Sequence, residues 1–492
     1  MFQHHTSSVV ETSSGAVRGL RDEFGELYRA IPYAMAPQGA RRFTPPVPHP
    51  GWTGVRNATQ PSPTAPQPTR TFGRLDMTPY FGPGWVPGDE YLTVDVRTPA
   101  ADRERRPVMI FIHGGGFVTG STRATLYDGR AFARDGVVLV TVNYRLGIPG
   151  FLDLPGAPPN RGLLDVLAAL RWVRDSIAPF GGDPDNVTVV GQSAGATLVG
   201  ALLATPDAGG LFRRAIIQSG SGTGAFTPEQ AQRATARAAK ALGVRATVEQ
   251  FAAIPDEVFL DIMPELTGLD LHTATARDPL LGLSPFSLVL PAQPADALAE
   301  GPAAEVSVLI GTNTEEGNLY LVPQDKLERS TEADVLALAT AGYAEPAAAL
   351  EAHRTARPDA GPGELRSALL GDALFGAGST RMAGAHSRLS GRRTYVYSFA
   401  HRSMALGGRL GAAHTVELPY VFDLADEPWL HGDSGLLGPD PAPAGLAEAM
   451  HGAWVAFARD GDPGWAAYDP EEPVVKVFAG PKACIGSTGR RG

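Results

Sequence analysis

The stretch Asn186-Val187-Thr188-Val189-Val190-Gly191-Gln192-Ser193-Ala194-Gly195-Ala196-Thr197-Leu198-Val199-Gly200-Ala201-Leu202-Leu203 joins an apolar, β-branched run to a helical one through five residues. Strand, tight turn and helix in that order push the Ser193 hydroxyl out of the backbone into a cleft. The glycines two before and two after Ser193 have a steric purpose. A side chain at either place would keep the turn from passing close to the neighbouring strand and helix. In this setting the motif points to a nucleophilic serine.

Upstream, Pro107-Val108-Met109-Ile110-Phe111-Ile112 reads as a buried strand and ends in His113-Gly114-Gly115-Gly116-Phe117. Three glycines in a row leave backbone N–H groups unshielded. Together with the N–H of Ala194, they suit the negative oxygen that forms when an acyl carbon becomes tetrahedral. Taken alone the glycines equally describe a flexible loop; paired with the downstream turn they describe an oxyanion hole.

Short β-rich runs alternate with helical ones along the chain, which predicts a mostly parallel sheet covered on both faces. Strands are expected at 91–98, 108–113, 137–143, 186–190, 214–218, 306–311 and 393–399, and helices at 124–134, 162–177, 194–204, 228–242 and 444–459. The stretch 45–88 is loaded with Pro and Gly and predicts a long loop on the surface or over the cleft. Residues 221–294 and 327–381 interrupt the strand rhythm with Ala, Glu and Leu. They are expected as helical insertions that cap the sheet of one domain spanning 1–492.

A chain of 492 residues, 43% hydrophobic and 19% charged, is ample for a large core. The net charge of −10 and the lack of a basic run argue against nucleic acid and anionic membrane surfaces as partners. No run is long enough to span a bilayer. The single cysteine, Cys484, excludes an intrachain disulfide, and no secretory signal precedes the first strand, so a cytoplasmic protein is expected.

A serine hydroxyl needs a base to take its proton, and the base needs an acid to fix its tautomer. Catalytic side chains are expected on loops leaving the C-terminal ends of strands. Position favours His414, on the loop after the 393–399 strand, with His401 at the end of that strand as its rival. For the acid, the 306–311 strand runs into Thr312-Asn313-Thr314-Glu315-Glu316-Gly317, and position alone does not choose between the two glutamates.

Longer motifs add a resemblance. Gly15-Ala16-Val17-Arg18-Gly19, Ala30-Ile31-Pro32-Tyr33-Ala34, Ile112 to Phe117, Asn143-Tyr144-Arg145-Leu146-Gly147, Phe180-Gly181-Gly182-Asp183-Pro184 and Ala453-Trp454-Val455-Ala456-Phe457-Ala458-Arg459 occur in this order. The chain thereby resembles the type-B carboxylesterases, a family that includes cholinesterase-like enzymes and bacterial para-nitrobenzyl esterases. The resemblance implies an α/β-hydrolase fold that hydrolyses small-molecule esters through an acyl-enzyme, with no cofactor or metal. It matches Ser193 to the nucleophile, Glu316 to the acid and His414 to the base. It matches Gly115, Gly116 and Ala194 to the oxyanion donors, Ser219 to a second serine that supports the acid, and Arg145 with Asp165 to a buried ion pair. Carbamates, amides and lactones fall to the same chemistry, and a non-catalytic binding protein is the rival on the same fold.

Departures from the family also count. Gly88-Asp89-Glu90-Tyr91-Leu92 lacks the usual loop cysteine, and Gln192 replaces the usual glutamate before the nucleophile, which removes a negative charge from the cleft. No tryptophan of 45–88 matches the one that binds a choline cation, so cationic substrates are not expected. Phe72, Tyr80, Phe81 and Trp85 offer aromatic surface for either a pocket or the core.

Overall fold

The computed structural model describes residues 5–389, 391 and 393–480; His4 and Cys484 lie outside the described residues. Among the described residues twelve strands form one sheet: β1 (His5–Thr12), β2 (Gly15–Asp22), β3 (Gly25–Pro32), β4 (Val55–Asn57), β5 (Thr93–Thr98), β6 (Arg106–Ile112), β7 (Val138–Val142), β8 (Gly182–Gln192), β9 (Arg214–Gln218), β10 (Ser307–Asn313), β11 (Thr394–Phe399) and β12 (Val475–Phe478). Their order is β1-β2-β3-β5-β7-β6-β8-β9-β10-β11-β12, with β4 beside β2. From β7 to β12 every pairing is parallel, whereas β1, β2, β3, β5 and β7 are joined antiparallel.

The central strands are buried on both faces, as parallel strands under helices must be. Along β6 the side chains alternate: Val108, Ile110 and Ile112 enter one apolar cluster and Met109 and Phe111 the other. The first cluster is closed by the helices Arg161–Ser176 and Ala194–Leu203, through Val166, Leu170, Val173, Leu198 and Leu202. The second is closed by the helix Leu446–Asp460, through Met450, Trp454 and Phe457. Among the described residues no helix is long and apolar enough to cross a membrane.

All seven expected strands are present, within a few residues at their ends. The N-terminal strands β1 to β4 were not anticipated as elements. Two expectations need correction. The run 124–134 is not one helix but a 3-10 turn, Thr125–Tyr127, and a short helix, Arg130–Arg134. The break falls where the Asp128 carboxylate accepts the N–H of Arg130 at 3.0 Å and so starts the second segment afresh. Residues 267–294 contain no helix, although helices fill 228–266. Pro279, Pro285, Pro291 and Pro294 lack the N–H a helix would need. The stretch 45–88 is a loop apart from β4 and the single turn Thr78–Phe81.

Candidate active site

The turn between β8 and the Ala194–Leu203 helix is built as its glycines require. A β-carbon on Gly191 would lie 2.3 Å from the Gly195 carbonyl oxygen, and one on Gly195 only 2.0 Å from that of Ile112. Ser193 itself has φ 56° and ψ −124°, a conformation that costs a non-glycine residue of order 1–3 kcal/mol. It is held there by the Ser193 N–H donating to the Gln218 carbonyl at 2.9 Å. The result presents the hydroxyl at the mouth of a helix N-terminus.

The glycine loop follows β6. Gly115 and Gly116 have φ values of 109° and 65°, open to glycine and disfavoured for other residues. Among the described residues neither donates its N–H to another group, and the N–H of Ala194 opens a helix, where no intrahelical acceptor exists. His113 anchors the loop from below: Nδ1 lies 2.9 Å from the Gly114 carbonyl, and the ring stacks on Tyr144 at 4.5 Å. Burial pushes the His113 pKa down to about 4, so the ring is neutral at pH 7 and supplies no charge.

His414 lies on the loop after β11 and Glu316 on the loop after β10. His414 Nδ1 meets Glu316 Oε2 at 2.6 Å, and both side chains are almost fully buried. The other carboxylate oxygen, Oε1, accepts the Ser219 hydroxyl at 2.5 Å and the Asn313 N–H at 2.7 Å. The alternative acid points elsewhere. Glu315 pairs with Arg402 and accepts the N–H of Ala412 at 2.9 Å. The alternative base does too: His401 packs edge-on against Phe399 and Tyr420.

Ser193, Gly115, Gly116, Ala194 and His414 all line one cavity of about 390 Å³. Phe72, Tyr80 and Phe81 line it as well, and Trp85 does not. Among the described residues no hydrogen bond joins the Ser193 hydroxyl to His414. Instead the Gln192 side-chain amide lies 3.4 Å from His414 Nε2, while Gln192 Oε1 accepts the Tyr80 hydroxyl at 2.6 Å.

A sequence model of the carboxylesterase family matches residues 6–476. The chain belongs to that family. It is 34% identical over 488 residues to phenmedipham hydrolase of Pseudarthrobacter oxydans, covering 96% of this chain and 95% of that one. It is 33% identical to the para-nitrobenzyl esterase of Bacillus subtilis, with 95% and 94% covered. The crystal structure of Geobacillus stearothermophilus carboxylesterase EST55 at pH 6.2 superposes with a TM-score of 0.81 at 36% identity, with 96% of each chain covered. This carboxylesterase therefore has the α/β-hydrolase fold, and it hydrolyses small-molecule carboxylic esters.

Several residues around the esterase site escaped the reading of the sequence. Phe375 lies parallel to the His414 ring at 4.3 Å and 8°, so the imidazole is fixed from its face as well as from Nδ1. Phe375 belongs to a π-helical turn, Asp372–Gly376, and an aromatic residue in a helical run gives no hint of such a role. Glu417 is fully buried beside the pair and accepts Asn313 Nδ2 at 2.7 Å. A carboxylate flanked by Val416 and Leu418 in an apolar run was a visible signal. The buried pair Arg145–Asp165, expected from the resemblance, is bidentate at 2.7 and 2.8 Å with neither side chain exposed.

Proposed function

We propose that this carboxylesterase works through Ser193 as nucleophile, His414 as base and Glu316 as acid, with the N–H groups of Gly115, Gly116 and Ala194 as the oxyanion hole. The observation that carries the reading is the 2.6 Å contact between His414 Nδ1 and Glu316 Oε2, with His414 facing the cavity that holds Ser193. A carboxylate at Nδ1 keeps that nitrogen protonated, so Nε2 keeps its lone pair and faces the serine side.

In acylation, His414 Nε2 takes the hydroxyl proton as Ser193 Oγ attacks the ester carbonyl. The oxygen becomes negative within reach of three N–H donors that need no reorganisation. The imidazolium then returns the proton to the leaving alcohol. Water, activated by the same base, cleaves the acyl-enzyme and releases the acid. Contacts between nucleophile and base often tighten only when substrate is present, so the open Ser193 hydroxyl suits this role. Ser219 supports the acid through its hydroxyl. We further read the chain as one domain, with 221–294 and 327–381 as a cap, and place it in the cytoplasm on its single cysteine.

Ser193→Ala is expected to lower kcat for short-chain nitrophenyl esters by roughly 10⁴-fold or more while the protein stays folded. An organophosphonate should label the Ser193 peptide in mass spectrometry. A label on the peptide of Ser219 or Ser221, or retained activity in Ser193→Ala, overturns the assignment.

A further inference from the structure

The cavity above Ser193 carries an unbalanced charge. Its lining includes two cationic side chains, Arg70 and Lys326, and no Asp or Glu among the described residues. The residue before the nucleophile adds no carboxylate, because it is Gln192.

Arg70 is the inner of the two. It comes from the 45–88 loop, and its Nη1 stands 3.5 Å from the point where a β-carbon on Gly116 would sit. It is therefore beside the glycine loop, not at the rim. Its surroundings are a ring and two phenols: the guanidinium lies 5.9 Å from the centre of Phe72, and Tyr320 and Tyr80 act on it electrostatically. Among the described residues it has no hydrogen bond and no ion-pair partner.

That sets this half-buried group apart from the chain's buried guanidinium groups. Arg145 is paired with Asp165, and Arg97 with Asp22. Arg161 donates to the carbonyls of Ile148, Pro149, Leu152 and Pro158. Burial lowers the Arg70 pKa from its usual value, yet a guanidinium stays charged at any pH the enzyme meets. A partly desolvated cation with no protein acceptor among the described residues is left for an anion in the cavity to complete.

We infer that the cavity selects esters that carry a free carboxylate elsewhere in the molecule, held by Arg70, with Lys326 drawing the anion in at the exposed mouth. This rests on the Ser193 reading, since it places the bound ester between Arg70 and the glycine loop. A carboxylate is the anion that matches one guanidinium in charge and in its two-toothed geometry. The chemistry is unchanged: Ser193 breaks the neutral ester bond and releases the alcohol, water then cleaves the acyl-enzyme, and the free carboxylate only orients the substrate.

The test compares esters with and without a free carboxylate: monomethyl against dimethyl adipate for the acyl side, and 3-acetoxybenzoate against phenyl acetate for the alcohol side. The readout is the ratio of kcat/KM, charged over neutral, within one enzyme preparation. For at least one pair the wild-type ratio is expected to exceed that of Arg70→Ala by about 10–100-fold, the range for a charge-assisted hydrogen bond, with Arg70→Lys in between. A second measurement needs no variant: adipate should inhibit neutral-ester hydrolysis competitively, at least about tenfold more strongly than hexane-1,6-diol, and less as salt rises. Ratios unchanged by Arg70→Ala, or adipate no better than the diol, overturn this inference alone. Hydrolysis that survives Ser193→Ala overturns the Ser193 reading and this inference with it.

Discussion

The buried carboxyl of Glu417 makes stability depend on pH in a direction that can be worked out in advance. Glu417 is fully buried, and desolvation first, with the charge of Glu316 second, pushes its pKa from 4.5 up to about 7. Tyr80, Tyr127 and Tyr397 feel its charge, and Asn313 and Gln218 donate to it. A carboxyl with a raised folded pKa binds more protons when folded. Its contribution is therefore fully present below pH 4.5 and is lost as pH rises through 7. Between pH 5 and 9 the shift corresponds to about 2–3 kcal/mol, at 1.36 kcal/mol per pKa unit. Glu417→Gln removes the titration and adds an offset, because the new amide faces the Gln218 amide; that offset does not vary with pH. The measurement is the difference in melting midpoint between wild type and Glu417→Gln at one scan rate across this pH range. With an unfolding entropy of roughly 1 kcal/mol/K for a chain this long, the variant should gain about 2–3 °C on wild type from pH 5 to pH 9. A difference that stays flat, or a variant that falls behind as pH rises, refutes a protonated Glu417.

Two further substitutions separate site from scaffold. Ser219→Ala removes the 2.5 Å donor to Glu316 and leaves the Asn313 N–H and His414 in place. One lost hydrogen bond to a buried carboxylate predicts a drop of about 10–100-fold in kcat with KM little changed, measured by steady-state kinetics on a nitrophenyl ester. Asp165→Ala strands the fully buried Arg145 and is expected to cost about 3–5 kcal/mol in denaturant unfolding, with the KM of whatever folds unaltered.

What was legible in the sequence was what sterics and long strands write locally. Gly191, Ser193 and Gly195 were readable because only glycine fits where a β-carbon would meet the Gly195 and Ile112 carbonyls. The parallel strands were readable as apolar runs because helices bury both their faces. The N-terminal strands were not: β2 mixes Arg18, Arg21 and Asp22 with Val17 and Leu20, since only part of it is covered. Glu315 and Glu316 could not be separated by position. The turn after β10 sends one outward to Arg402 and the other inward to His414, and that depends on contacts from β9 and the His414 loop. Arg70 was invisible for the same reason. It sits in a loop without periodicity, and only the folded chain shows that no acceptor among the described residues meets it.

The same long-range logic explains how two buried glutamates coexist. Glu417 lies close enough to Glu316 to feel its charge, and both reach Asn313 at the end of β10. The Asn313 main-chain N–H goes to Glu316 at 2.7 Å, and its side-chain Nδ2 goes to Glu417 at 2.7 Å. Beyond this shared residue the supply of donors is unequal. Glu316 adds the Ser219 hydroxyl and His414 Nδ1, both within 2.6 Å. Glu417 adds its own main-chain N–H and the distant Gln218 amide at 3.4 Å, and that amide is itself held by Trp454 Nε1 through its oxygen at 3.1 Å. The donors at Glu417 do not offset the cost of burying its charge beside Glu316. A second negative charge beside Glu316 is therefore opposed by burial first and by the Glu316 charge second, and the helix Leu446–Asp460 takes part in that arrangement through Trp454, which holds the Gln218 amide.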